Sequence, residues 1–141
     1  RFIELMQTGD NAGYFRAHHI SGDWLVAQLL LRGWRELPRA VGSGPAREFA
    51  HDDSLGRIGL IAPYAKDFCT TCNRLRITAL GALRLCLFGD AGVDLRDLLQ
   101  EDSQQAALQE RICAQLQLKL KSHFLHEGNT GATKHLAMWG G

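Results

Sequence analysis

No stretch of this sequence is apolar for long enough to cross a bilayer. The most apolar run, Trp24 to Leu31 (WLVAQLLL), carries a Gln and falls far short of the about 20 residues a spanning helix needs. Nor does one sign of charge dominate. Sixteen Lys and Arg stand against fifteen Asp and Glu, a net charge of +1, which argues against nonspecific attraction to nucleic acid or to an acidic membrane. Any anion must be met by basic residues gathered locally. There is no basic-then-apolar leader at the start, no internal repeat and no low-complexity tract. Cysteines number only four, and without a leader a CxxC reads as a metal or redox site in a reducing compartment, by default the cytosol.

The 141 residues suffice for one well-cored domain, or a small domain plus part of another, and the 45% apolar content is ordinary for a globular chain. Arg1 to Met6 (RFIELM) reads as a buried strand, opening on Arg as a cut through a larger protein would, and Thr8-Gly9-Asp10-Asn11 ends it. His18 and His19 read as surface loop residues. Ser21-Gly22-Asp23 can cap a helix with Trp24, Leu25, Gln28, Leu29 and Leu31 at helical spacing, closed by Gly33. Pro38 and Gly42-Ser43-Gly44-Pro45 mark a loop and a boundary near residue 45. Arg57 to Ala62 is strand-like until Pro63, and Val93 to Leu99 is a short amphipathic stretch. A longer helix opens at Asp102 or Ser103 and runs through Lys121, with Leu108, Ile112, Leu116 and Leu120 on one face. The tail from Gly128 to Gly141 reads as irregular.

The segment FCTTCNRLRITALGALRLCLF, residues 68 to 88, concentrates the chemistry. Cys69 and Cys72 have the separation that brings two thiolates to one centre around a tight turn. Cys86 follows after a hairpin whose loop, Ala79-Leu80-Gly81, puts Gly in the left-handed position. That register pairs Thr78 with Ala82, Arg76 with Arg84, and Arg74 with Cys86. Alternation then sets Arg74, Arg76, Thr78, Arg84 and Cys86 on one face, and Leu75, Ile77, Leu83, Leu85 and Leu87 on the other. Like charges opposed across a ladder are unfavourable, so Arg76 and Arg84 should await an anion. A closed zinc site would need a further ligand, from Cys113, His123, His126 or His135, although Cys113 is expected in a helix core. An iron–sulfur cluster held by three Cys instead leaves one iron open, and guanidiniums beside it would suit phosphate oxygens.

That cysteine segment, the opening RFIELM and the final Gly140-Gly141 together resemble the GTP 3′,8-cyclase family of molybdenum cofactor biosynthesis, in its C-terminal part. The resemblance implies a radical S-adenosylmethionine enzyme that converts GTP to (8S)-3′,8-cyclo-7,8-dihydroguanosine 5′-triphosphate. It implies an α/β fold: the last strand and helix of an incomplete TIM-type barrel in residues 1–45, and an α+β iron–sulfur-binding extension in residues 46–141. It further implies that Cys69, Cys72 and Cys86 hold a [4Fe-4S] cluster and that Arg74, Leu75 and Arg76 bind GTP. Met6, and Arg1 beside it, would touch S-adenosylmethionine, and Gly140 and Gly141 would reach into the active site. The family's other cluster motif, CxxxCxxC, does not occur in this sequence, so the chain alone is expected to be inactive. The partner expected is GTP, with no nucleic acid and no membrane. Apolar surface cut from a barrel predicts a homo-oligomer. The alternative is a noncatalytic zinc-bound module that binds RNA or protein.

Overall fold

The computed structural model describes residues 1–70, 72–89, 92–131, 133, 134 and 136. It is a mixed α/β arrangement of two compact units, one of residues 1–6 and 13–73, the other of 7–12 and 74–141. The first unit therefore continues past residue 45 to Asn73. Residues 37–46 connect two paired strands within it.

In the first unit the strands are β1 (Phe2–Ile3), β2 (Arg35–Glu36), β3 (Arg47–Ala50) and β4 (Arg57–Ile61). Their sheet order is β1-β4-β3-β2, with β1 parallel to β4 and the other pairs antiparallel. β4 is rich in branched apolar residues, and Pro63, which has no N–H for a ladder, stands just beyond its end. Gly59 leaves room for Arg1, whose Cγ would lie 3.1 Å from an added Cβ.

Two helices follow β1: α1 (Ala12–His18) and α2 (Gly22–Leu31). Ser21 caps α2, its Oγ accepting from Asp23 N at 3.2 Å, and Gly33 ends it with φ near +80°. Leu29 of α2 packs on Phe49, Leu60 and Ala62 of the sheet and its margin. Gly22 makes this approach possible, since an added Cβ would sit 2.7 Å from that of Ala62.

Three expectations fail here. Phe2 and Ile3 are 54% and 60% exposed, not buried, because β1 is an edge strand that pairs only with β4. Trp24 and Leu31 lie on the outer side of α2, 58% and 81% exposed, since Leu25, Val26 and Leu29 supply the packed stripe. His18 is the last residue of α1, and His19, in the loop after it, is half-buried rather than at the surface: its Nε2 lies 2.9 Å from Oε1 of the buried Glu4, and its ring packs against Phe15 and Tyr64.

The second unit contains β5 (Arg76–Ile77), β6 (Ala82–Arg84), β7 (Gly92–Asp94) and α3 (Gln105–Leu116). The strands form an antiparallel sheet in chain order. Leu83, Leu85 and Leu95 make its core, with Val93, Leu108 and Ile112 packed around them. α3 opens through a 3-10 turn at Asp102–Gln104, where Glu101 and Gln104 form a reciprocal capping box. It ends at Leu116, five residues before the expected Lys121, and i→i+3 bonds from Leu118 to Gln115 and from Lys119 to Leu116 turn the chain out. Leu116 and Leu120 are consequently exposed, and so is Cys113, which was expected in the core. Among the described residues, no helix is long and apolar enough to cross a membrane.

Candidate functional site

The hairpin of the second unit adopts the register that loop chemistry dictates. Arg76 pairs with Arg84 and Ile77 with Leu83, and Thr78 N donates to Ala82 O at 2.9 Å. Gly81 takes φ near +80°, a backbone state that penalises any Cβ. The two guanidinium-bearing residues are therefore directly opposed, on the face away from the buried Leu83. Ile77, paired with Leu83, nonetheless remains 56% exposed.

The ladder stops at the Arg76–Arg84 pair, so the expected Arg74–Cys86 pairing is not part of it. Lys119 reaches in from the turn after α3. Its Nζ donates to the carbonyl oxygen of Arg74 at 3.1 Å and to that of Leu85. The side chain of Arg74 is exposed, and Leu75 is 38% exposed.

Cys86, half-buried, lines a cavity of about 180 Å3 with Phe88, Gly89, Ser122, His123 and Asn129. His123 is buried edge-on to Phe88, and its Nδ1 accepts from Leu125 N at 3.0 Å. A nitrogen accepting that bond carries no proton, so neutral His123 holds its proton on Nε2. His126 is exposed, and His135, Gly140 and Gly141 lie outside the described residues.

In the first unit, Cys69 and Cys72 sit on successive tight turns after Pro63. Phe68 N donates to Ala65 O, Thr70 N to Asp67 O and Cys72 N to Cys69 O, at 3.0 to 3.2 Å. Cys69 is half-buried and Cys72 exposed, and none of the four cysteines is in a disulfide. Within either unit, no three described His, Cys, Asp or Glu side chains gather around one point. Two of the predicted ligands belong to the first unit and Cys86 to the second. Cysteine thiolates are the donors that iron–sulfur clusters take, and Cys69 and Cys72 stand one turn apart in the first unit.

Arg1 lies along Gly59 with its guanidinium 3.9 Å from Glu48, and Met6 is half-buried just beyond β1. Arg1 also lines an open cleft of about 850 Å3 with Glu36, Arg39, Arg47, Glu48 and Arg57. There Arg47 grips Glu36 through two bonds of 2.8 and 2.7 Å. That bidentate pair holds the Glu36 carboxyl below the usual carboxylate range and raises Arg47 in turn. In the second unit a single bond from Arg111 Nη1 to Oδ1 likewise holds the Asp97 carboxyl below its usual range.

Sequence reasoning found the hairpin and missed Lys119. Its bonds to Arg74 and Leu85 span 45 and 34 residues, a separation that leaves no local trace.

Comparison with known proteins identifies the frame of this geometry. The profile of the family described as Molybdenum Cofactor Synthesis C matches residues 1–125. Proteins named GTP 3′,8-cyclase from Stenotrophomonas maltophilia strains K279a and R551-3 are each 60% identical to this chain over all 141 residues. The chain spans 43% of the length of those relatives. With both sheets and nearly the whole cysteine-bearing C-terminal region inside the match, the chain belongs to the Molybdenum Cofactor Synthesis C family.

Proposed function

We propose that this chain is the substrate-binding, C-terminal part of a GTP 3′,8-cyclase, a radical S-adenosylmethionine lyase of molybdenum cofactor biosynthesis. Its 60% identity to proteins of that name supports the reaction. The observation that carries the substrate role is the hairpin register, which opposes Arg76 to Arg84 two residues from Cys86. Like charges opposed across a ladder are unfavourable, and a bound anion would relieve that. Arginine forks match the oxygens of a triphosphate, so Arg74 and Arg76, with Leu75 between them, would grip GTP. Fixing both ends of the nucleotide aligns its ribose, and such alignment lowers the barrier by itself.

Cys69, Cys72 and Cys86 would hold a [4Fe-4S] cluster. When bound, a cluster with three thiolate ligands offers one open iron to a donor atom of the substrate. In the first unit, Arg1 and Met6 would contact S-adenosylmethionine. Gly140 and Gly141 would complete the site as an inserted tail. Residues up to about 45 would be the last strand and helix of an incomplete TIM-type barrel, and 46–141 the cluster-binding extension. The exposure of Phe2 and Ile3 on edge strand β1 and of Trp24 on the outer side of α2 supports apolar faces that would drive self-association of this chain. The four cysteines include no CxxxCxxC, so the chain alone would not turn over GTP.

Anaerobic reconstitution with iron and sulfide tests the reading. We expect broad visible absorption that changes when GTP is added, loss of GTP affinity in Arg74→Ala and Arg76→Ala, and more than one copy per particle by light scattering. A colourless protein holding one zinc on protein ligands alone would replace it with the zinc-bound module that binds RNA or protein.

A further inference from the structure

Past the Arg76–Arg84 pair the hairpin loses its ladder, yet the residues that matter most, Arg74 and Cys86, lie there. Two strands released from pairing would splay, leaving their carbonyls to water. Lys119 prevents this: one ammonium takes the carbonyl of Arg74 and that of Leu85, one on each arm. An ammonium has three donors and no acceptor, so it can hold both arms at once.

The root of Lys119 is fixed by the same core that holds the hairpin. Leu108 and Ile112 of α3 pack on Leu83, Leu85 and Leu95. The early end of α3 then has a consequence: the turns at Leu118 and Lys119 leave the helix and aim the side chain at the hairpin. A helix continued to Lys121 would carry residue 119 along its own axis instead. Because Lys119 takes the main chain of Arg74, the guanidinium of that residue stays free for other work.

We infer that Lys119 is a positioning residue, a clamp that sets the spacing of the Arg74 and Cys86 arms for nucleotide capture. This rests on the proposal that Arg74 meets GTP and Cys86 a cluster. It adds a cation to the site without itself touching substrate.

The test uses this chain with Lys119→Met and Lys119→Arg, read by amide hydrogen exchange and, after anaerobic reconstitution, by GTP titration. In Lys119→Met, exchange at the ladder amides of Arg76 and Arg84, next to the clamp, should quicken about tenfold while the amides of β3 and β4 keep their protection. GTP affinity should fall about tenfold at unchanged iron content. Lys119→Arg, which keeps donors for both carbonyls, should recover most of both. Unchanged exchange at those two amides in Lys119→Met overturns the clamp, as does a folded Lys119→Arg no better than the Met variant. If Lys119→Met unfolds the second unit altogether, the Arg variant alone decides between these outcomes. The two readings separate cleanly. Faster exchange with GTP affinity intact in both Lys119→Met and Arg74→Ala would keep the clamp and defeat the GTP contact. Weakened GTP binding in Arg74→Ala alone would do the reverse.

Discussion

The two units solve the same problem with different means. In the first, a four-stranded sheet and α2 enclose Phe49, Leu60, Leu29 and Ala62, and its surface is laced by the Arg47–Glu36 and Arg57–Glu48 pairs. In the second, the strands are two or three residues long and the core is a handful of leucines. Much of its chain is tied by side chains that reach distant carbonyls: Lys119 to Arg74 and Leu85, Arg111 to Asp94, Thr133 to Leu87. Apolar burial and ladders make a frame that needs no particular partner. Side chain–carbonyl ties instead hold loops in shapes no ladder would give, and Arg74, Leu75 and Cys86 are in such a region.

Breaking the frame should have the largest effect. Phe49 is fully buried in the first core, so Phe49→Ala should destabilise that unit by about 3–5 kcal/mol. Denaturant unfolding followed by tryptophan fluorescence reads this directly, because Trp34 packs against that core. A loss under about 1 kcal/mol would mean that the first unit is not held by its apolar centre.

The hairpin comes next. Gly81→Ala places a Cβ at φ near +80° and 3.3 Å from Arg96 Cβ, and should cost roughly 1–2 kcal/mol. The same variant should lower the protection of the Thr78 amide, which bonds Ala82 across the loop. Stability equal to the parent would contradict the left-handed turn.

The smallest effect sharpens the contrast between burial and surface charge. Glu36 and Arg47 are partly exposed, so Glu36→Gln should destabilise by only about 0.5 kcal/mol at neutral pH. The carboxyl is held low in the folded chain, chiefly by its hydrogen bonds to Arg47. Its contribution is thus present above the unfolded value and fades as pH falls through the lowered one, so parent and variant should converge on acidification below that lowered value. A gap that widened on acidification would reverse the assignment.

Features governed by near neighbours along the chain were legible in the sequence. Ser21 and Gly33 bracket α2, Pro63 follows β4, and Gly81 fixes the hairpin register down to the Arg76–Arg84 pair. What failed depended on what lies across the fold. Periodicity carried α3 to Lys121, but the helix ends where Leu118 and Lys119 turn toward the hairpin. Cys113, expected inside because free Cys is commonly buried, is exposed, and the packed stripe is set by Leu108 and Ile112. α1 gave no strong signal, having no buried residue, and His19 is fixed in place only through Glu4 and the rings around it.

The order of residues by itself determined the turns, the caps and the opposition of two arginines near a cysteine, because φ preferences and alternation act over three or four positions. Only the tertiary structure decided which apolar residues are covered, where α3 stops and that Lys119 bridges the hairpin arms. Those outcomes depend on contacts between residues tens of positions apart, whose closeness is fixed by packing and leaves no imprint on local pattern.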